Sequence, residues 1–112
     1  MNEHNRHRAR RGLEPLVLDS DLCEYAQSHA EKMADRGLLV HSSMSKLAVK
    51  AGNGNVGENI AWGQNSEEEV CDSWMNSRGH RANILSERYK RVGFGVKEDE
   101  RGRKYWCAVF SA

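Results

Sequence analysis

Near the end of this 112-residue chain, Val92, Phe94 and Val96 alternate with Gly93 and Gly95. Successive side chains of a strand point to opposite faces, so this segment presents one apolar face and one face without side chains. A bare strand face marks the close approach of another element. The charged run Glu98 to Lys104, with Gly102 in it, supplies a hairpin turn. Tyr105 to Phe110 then returns, its Trp106, Ala108 and Phe110 alternating with Tyr105, Cys107 and Val109. The chain is therefore expected to end in an antiparallel hairpin with its glycine face closely covered.

The earlier segments supply helices. Residues 2–11 lack Gly and Pro and stop at Gly12, and Pro15 to Leu18 form a short link. Asp19 or Ser20 can cap a second helix, in which Leu22, Ala26, Ala30 and Met33 recur at helical spacing, with Tyr25 and His29 alongside, until Gly37. Residues 42–57 are poor in large side chains and rich in Ser, Gly and Asn, and within them Ala51 to Asn55 reads as an irregular loop before a short strand from Glu58 to Trp62. Ser66 and Glu69 match a capping box, and Val70, Cys71, Trp74 and Met75 form the apolar face of the helix behind it. A break at Ser77 to Gly79 precedes a short segment from His80 to Leu85, with Ala82 and Ile84 or Leu85 turned inward. Helices first and a hairpin last give an α+β fold with antiparallel pairing in one domain, residues 1–112.

Several function classes lose support at this point. The formal charge of +1 argues against bulk attraction to nucleic acid or anionic lipid. One basic run, with Arg6, Arg8, Arg10 and Arg11, could hold phosphates, but no aromatic side chain is interleaved for base stacking. It reads as a solvated helix face. No apolar stretch approaches the ~20 residues of a membrane span. The first 30 residues show no signal peptide, which fits either a domain cut from a longer precursor or a cytosolic protein starting at Met1. Cys23, Cys71 and Cys107 are an odd, scattered set and read as three small buried hydrophobes, with Cys71–Cys107 the pairing to test.

An ordered series of short segments carries a family resemblance. His4-Asn5-Arg6, Gly12-Leu13 and Pro15-Leu16 open it, and His29-Ala30 and His41-Ser42 continue it. Gly57-Glu58-Asn59-Ile60, Trp74-Met75-Asn76-Ser77 and Gly79-His80-Arg81-Ala82-Asn83-Ile84-Leu85 follow, then Val92-Gly93-Phe94-Gly95 and Tyr105-Trp106. The chain resembles the CAP (SCP-like) superfamily of cysteine-rich secretory, antigen 5 and pathogenesis-related proteins, in its short bacterial form. That resemblance implies a three-layer α-β-α sandwich around a small antiparallel sheet, and an extracellular or cell-surface location.

It also implies a central cleft of two histidines and two acids that binds a divalent cation such as zinc in some members. His41, Glu58 and His80 fall on three of those positions, and Ser77 stands where the second acid is usual. Two imidazoles and a carboxylate are a zinc-binding set, but losing one acid weakens it and removes a partner that could orient a histidine. A metal-free cleft held by hydrogen bonds between Glu58 and histidine is the other expectation. The functional expectation is a monomeric binding module whose cleft of His41, Glu58, Ser77 and His80 takes a small ligand, a cation, a lipid or a partner protein. The alternative is a peptidase or esterase with Ser42, Ser43 or Ser77 as nucleophile, His80 as base and Glu58 as orienter, or with a metal-bound water. Trp62, Trp74 and Trp106 could line a lipid or sterol groove, although core packing explains aromatic residues as well. Asn59 and Asn83 read as partners of backbone groups, Arg81 as a surface charge, and His29 as structural.

Overall fold

The computed structural model describes residues 2–112. Its elements are α1 (Asn2–Ala9), β1 (Val17–Leu18), α2 (Ser20–Arg36), α3 (Met44–Ala51), β2 (Val56–Trp62), α4 (Glu67–Met75), α5 (Arg78–Ile84), β3 (Arg91–Glu98) and β4 (Lys104–Ser111). The strands form one sheet in the order β1-β3-β4-β2. β4 pairs antiparallel with β3, where Gly93 faces Val109, and with β2, where Glu58 also faces Val109. β1 pairs parallel with β3 through Val17 and Leu18, so the sheet is mixed rather than purely antiparallel. Two residues after a proline carry no alternation from which such a strand could be read.

Two apolar clusters sandwich the sheet. On one side Leu22, Ala26, Ala30 and Met33 of α2 and Leu47 of α3 pack against Ile60, Tyr105, Cys107 and Val109. On the other, Val70, Cys71 and Trp74 of α4 and Ile84 of α5 pack against Ala61, Val92, Ala108 and Phe110. The α-β-α sandwich follows from this division, since each strand residue commits its side chain to one layer or the other. The bare face of β3 is covered by α2, whose backbone at Leu22, Cys23, Ala26 and Gln27 occupies the space that Cβ atoms on Gly93 and Gly95 would need.

Local chemistry sets the helix ends. Asp19 caps α2 by accepting from the Leu22 amide at 3.0 Å, and Gly37 closes it in the left-handed region at φ 60°. Ser66 caps α4 through the Glu69 amide, while the Glu69 carboxylate reaches the Asn65 amide, one residue before the cap.

The irregular stretch expected from Ala51 to Asn55 is present at residues 52–55, but Ala51 closes a two-turn α3 that Ser43 caps and Gly52 ends, an element not expected from the sequence, and β2 already begins at Val56. Only Leu47 and Ala51 of α3 are buried and Val49 is exposed, so too few apolar positions recur to reveal the helix. The basic run is not one solvated face. Arg6, Arg10 and Arg11 are exposed, but Arg8 is buried, donating to the carbonyls of Glu14, Ile84, Ser86 and Tyr89 at 2.8–3.3 Å. Ala82, expected inward, is exposed, and Ile84 fills the core from α5. The three cysteines are free thiols, so Cys71 and Cys107 are not bridged. They lie on opposite faces of the sheet.

Candidate functional site

β2 is an edge strand, and the site forms where its outer margin meets the 38–43 segment and α5. Glu58, in register with Val109, sends its side chain toward the α2–α3 layer, and Asn59 sends its own to the α5 side. The 38–43 segment is held from α2. His29 Nε2 donates to the Val40 carbonyl at 2.6 Å, which bears out the structural role expected of His29. The Tyr25 hydroxyl is shared between Ser42 Oγ at 2.9 Å and the Ser43 carbonyl at 3.0 Å.

These restraints deliver four donors to one carboxylate. Glu58 Oε1 accepts from the Ser42 amide and from His41 Nδ1, each at 2.9 Å. Oε2 accepts from Ser42 Oγ and from the Cys107 thiol at 3.9 Å. An acceptor-only, ionised carboxylate suits that set, and the bonds offset the cost of burying it. The Glu58 side chain is 1% exposed, whereas that of His41 is 58% exposed. With Nδ1–H spent on Glu58, the neutral form of the His41 ring carries its free lone pair on Nε2.

His80 approaches from α5. Its carbonyl accepts from Asn59 Nδ2 at 3.0 Å, and Asn83 ties the same region to β2 through Asn59 Oδ1 and the Glu58 carbonyl. Asn59 and Asn83 thus satisfy backbone groups as expected. Burial, and then the facing charge of His41, lower the His80 pKa, so its imidazole is neutral at physiological pH. Among the described residues the His80 ring makes no hydrogen bond to Glu58, His41 or Ser77.

Glu58 and His41 are therefore in direct contact, while His80 is near enough to His41 to feel its charge but is not bonded to either. Ser77 is the N-cap residue of α5, without a side-chain cap bond. The serine–histidine–carboxylate chain of a hydrolase is not assembled. Ser42 Oγ lies between Tyr25 and Glu58, and Ser43 Oγ caps α3 through the Lys46 amide at 3.2 Å.

For a metal, the donors on offer are the imidazoles of His41 and His80, with Glu58 bonded behind His41. Both Glu58 oxygens are already taken, and among the described residues no group of three or more His, Cys, Asp or Glu side chains is placed to hold a metal ion. Tyr25 and Ser42 organise Glu58, yet nothing in the sequence spacing links them to it; only the position of Tyr25 one turn before His29 places it on the same helix face. Burial lifts the Cys71 thiol to about 12 and, with the adjoining Glu58 carboxylate, pushes the Cys107 thiol well up, so neither is a nucleophile.

The tryptophans do not share one groove. Trp74 is core and donates to the Ile60 carbonyl. Trp62 is 46% exposed beneath the Arg103 guanidinium at 4.1 Å. Trp74 and Trp106 line an apolar hollow of about 230 Å³ with His4, Val70 and Phe94.

The chain can be set beside known proteins on this geometry. Residues 1–110 match the Cysteine-rich secretory protein family profile, CAP. YkwD of Bacillus subtilis is 38% identical over 103 residues, covering 84% of this chain and 39% of that protein. Human Golgi-associated plant pathogenesis-related protein 1 is 26% identical over 126 residues, covering 98% of this chain and 78% of its own length. An extracellular protein of Bacillus anthracis containing an SCP domain superposes with a TM-score of 0.81 at 28% identity, covering 96% of this chain and 37% of that one. An outer surface protein of Borrelia burgdorferi shares the fold, with a TM-score of 0.84 at 18% identity over 97% of this chain and 86% of its own. The chain thus spans well under half the length of the two Bacillus relatives. With the profile match over nearly its full length and the sandwich around a small mixed sheet, this chain belongs to the CAP family of cysteine-rich secretory proteins.

Proposed function

We propose that this chain is an extracytoplasmic binding module whose His41 and His80 imidazoles, braced by Glu58, take up a divalent cation of the zinc class. The observation that carries this reading is the bond from the exposed His41 ring, through Nδ1, to a buried carboxylate. A carboxylate in that position fixes the tautomer and raises the basicity of the other ring nitrogen. The lowered pKa of His80 keeps a second imidazole unprotonated beside it. Two imidazoles leave two of the four tetrahedral positions to water or to a ligand from outside, which favours weak, exchangeable binding over a closed structural site. The extracytoplasmic location is drawn from relatives described as extracellular or secreted. Among the described residues no helix is long and apolar enough to cross a membrane.

Calorimetric titration with zinc at neutral pH tests the reading on wild type, His41→Ala/His80→Ala and Glu58→Gln. Saturable binding is expected for wild type, none for the double variant, and binding weaker by about 10- to 100-fold for Glu58→Gln. Equal heats in all three proteins, or no heat in wild type, overturn it. Hydrolysis stands second, because among the described residues no serine is joined to a histidine base.

A further inference from the structure

A separate hollow of about 230 Å³ lies between α2 and α3, with Ser42, a partner of Glu58, in its lining. Tyr25, Ser28, His29 and Lys32 form one wall, spaced so that they share a single face of α2. Ser42, Ser43 and Lys46 form the other. No carboxylate lines it. Lys32 and Lys46 are exposed, and among the described residues neither ammonium has an ion-pair partner, unlike Lys50 and Lys90, which are paired with Glu24 and Glu14. The Ser28 hydroxyl has no hydrogen bond within the chain among those residues either.

From this arrangement we infer that the α2–α3 hollow is an anion site for a phosphate group. Two unpaired ammonium groups supply the charge that a phosphate bearing between one and two negative charges at neutral pH requires. Ser28, one turn from Lys32 on α2, adds a neutral donor to the lining. A large apolar ligand is disfavoured by the hydroxyl and ammonium lining, and a cation by the lysines. The site shares Ser42 and Tyr25 with the bracing of Glu58 but uses neither His41 nor His80. The lysine and histidine variants therefore separate it from the proposed cation site.

The same chemistry is carried by free phosphate and by a phosphate-bearing lipid headgroup, and two arms separate them. In the first, inorganic phosphate is titrated calorimetrically into wild type, Lys32→Ala/Lys46→Ala and His41→Ala/His80→Ala. In the second, sedimentation is followed with vesicles of phosphatidylcholine, alone or mixed with phosphatidic acid. Binding in either arm that weakens about tenfold in the lysine variant, falls with added salt and persists in the histidine variant is the expected result. Both lysines are exposed, so the lysine variant is expected to fold. Absence of binding in both arms, or binding that the lysine variant leaves unchanged, overturns the inference. Zinc binding by the lysine variant separates this failure from failure of the cation reading.

Discussion

Gly93 of β3 lies directly against the Leu22 carbonyl of α2, with no room for a side chain between strand and helix. Gly95 meets the Ala26–Gln27 backbone in the same way one turn on. This contact, more than any side-chain interdigitation, sets how deeply α2 sits on the sheet, and hence where Tyr25 and His29 can reach the 38–43 segment.

Gly93→Ala is therefore expected to destabilise the fold by at least about 3 kcal/mol, because backbone cannot yield as a flexible side chain does. Gly79→Ala is the control: it lies in α5 with open space around it, so the change should stabilise by about 0.5–1 kcal/mol. Urea midpoints of the two variants against wild type check both signs, and similar small effects would remove the close approach from the account of the fold.

Ser42→Ala deletes the hydroxyl that donates to buried Glu58 and leaves Tyr25 one partner short. A loss of about 1–3 kcal/mol is expected, against about 1 kcal/mol for Tyr25→Phe. If Tyr25 acts on Glu58 through Ser42, the double variant costs less than the sum of the singles, which a double-mutant cycle by urea denaturation measures directly.

Acid sensitivity should trace to His4. Its ring is fully buried among Trp74, Phe94 and Phe110, neither nitrogen has a hydrogen-bond partner among the described residues, and burial, ahead of the charges of His7 and Arg8, lowers its pKa to about 3. The depressed value means that the unfolded chain takes up the proton first. The contribution is thus complete above pH 6.5 and is lost as the pH falls from there toward 3. Stability measured between pH 6.5 and 4.5 should fall by about 1.4 kcal/mol per pH unit more in wild type than in His4→Leu. Parallel profiles would assign the acid sensitivity elsewhere.

The parts of the fold legible in the sequence are those with a repeating pattern or a dedicated cap: the β3–β4 hairpin, the apolar stripe of α2 from Asp19 to Gly37, and the Ser66 start of α4. Elements whose pairing is decided at a distance were not. β1 exists only because β3 lies beside it, and α3 buries two residues. Arg8 looked like its exposed neighbours because a burial that depends on four backbone carbonyls leaves no mark on spacing. The same limit governed the site. The motifs brought Glu58, His41 and His80 under suspicion, but the Glu58–His41 bond and the bracing from Tyr25 and Ser42 depend on how the 38–43 segment lies across the edge of β2.

The Arg8 guanidinium also sets a timetable. Three of its four carbonyl partners lie 76, 78 and 81 residues further along the chain, at Ile84, Ser86 and Tyr89. During vectorial synthesis α1 emerges early and must wait, charged and unanchored, until the segment that carries Tyr89 has been made. α2 waits as well, its apolar stripe uncovered until β3 and β4 arrive. Such long-range closure slows folding and denies any N-terminal fragment a stable structure of its own. Of the helices of this domain, α1 is among the last to be secured.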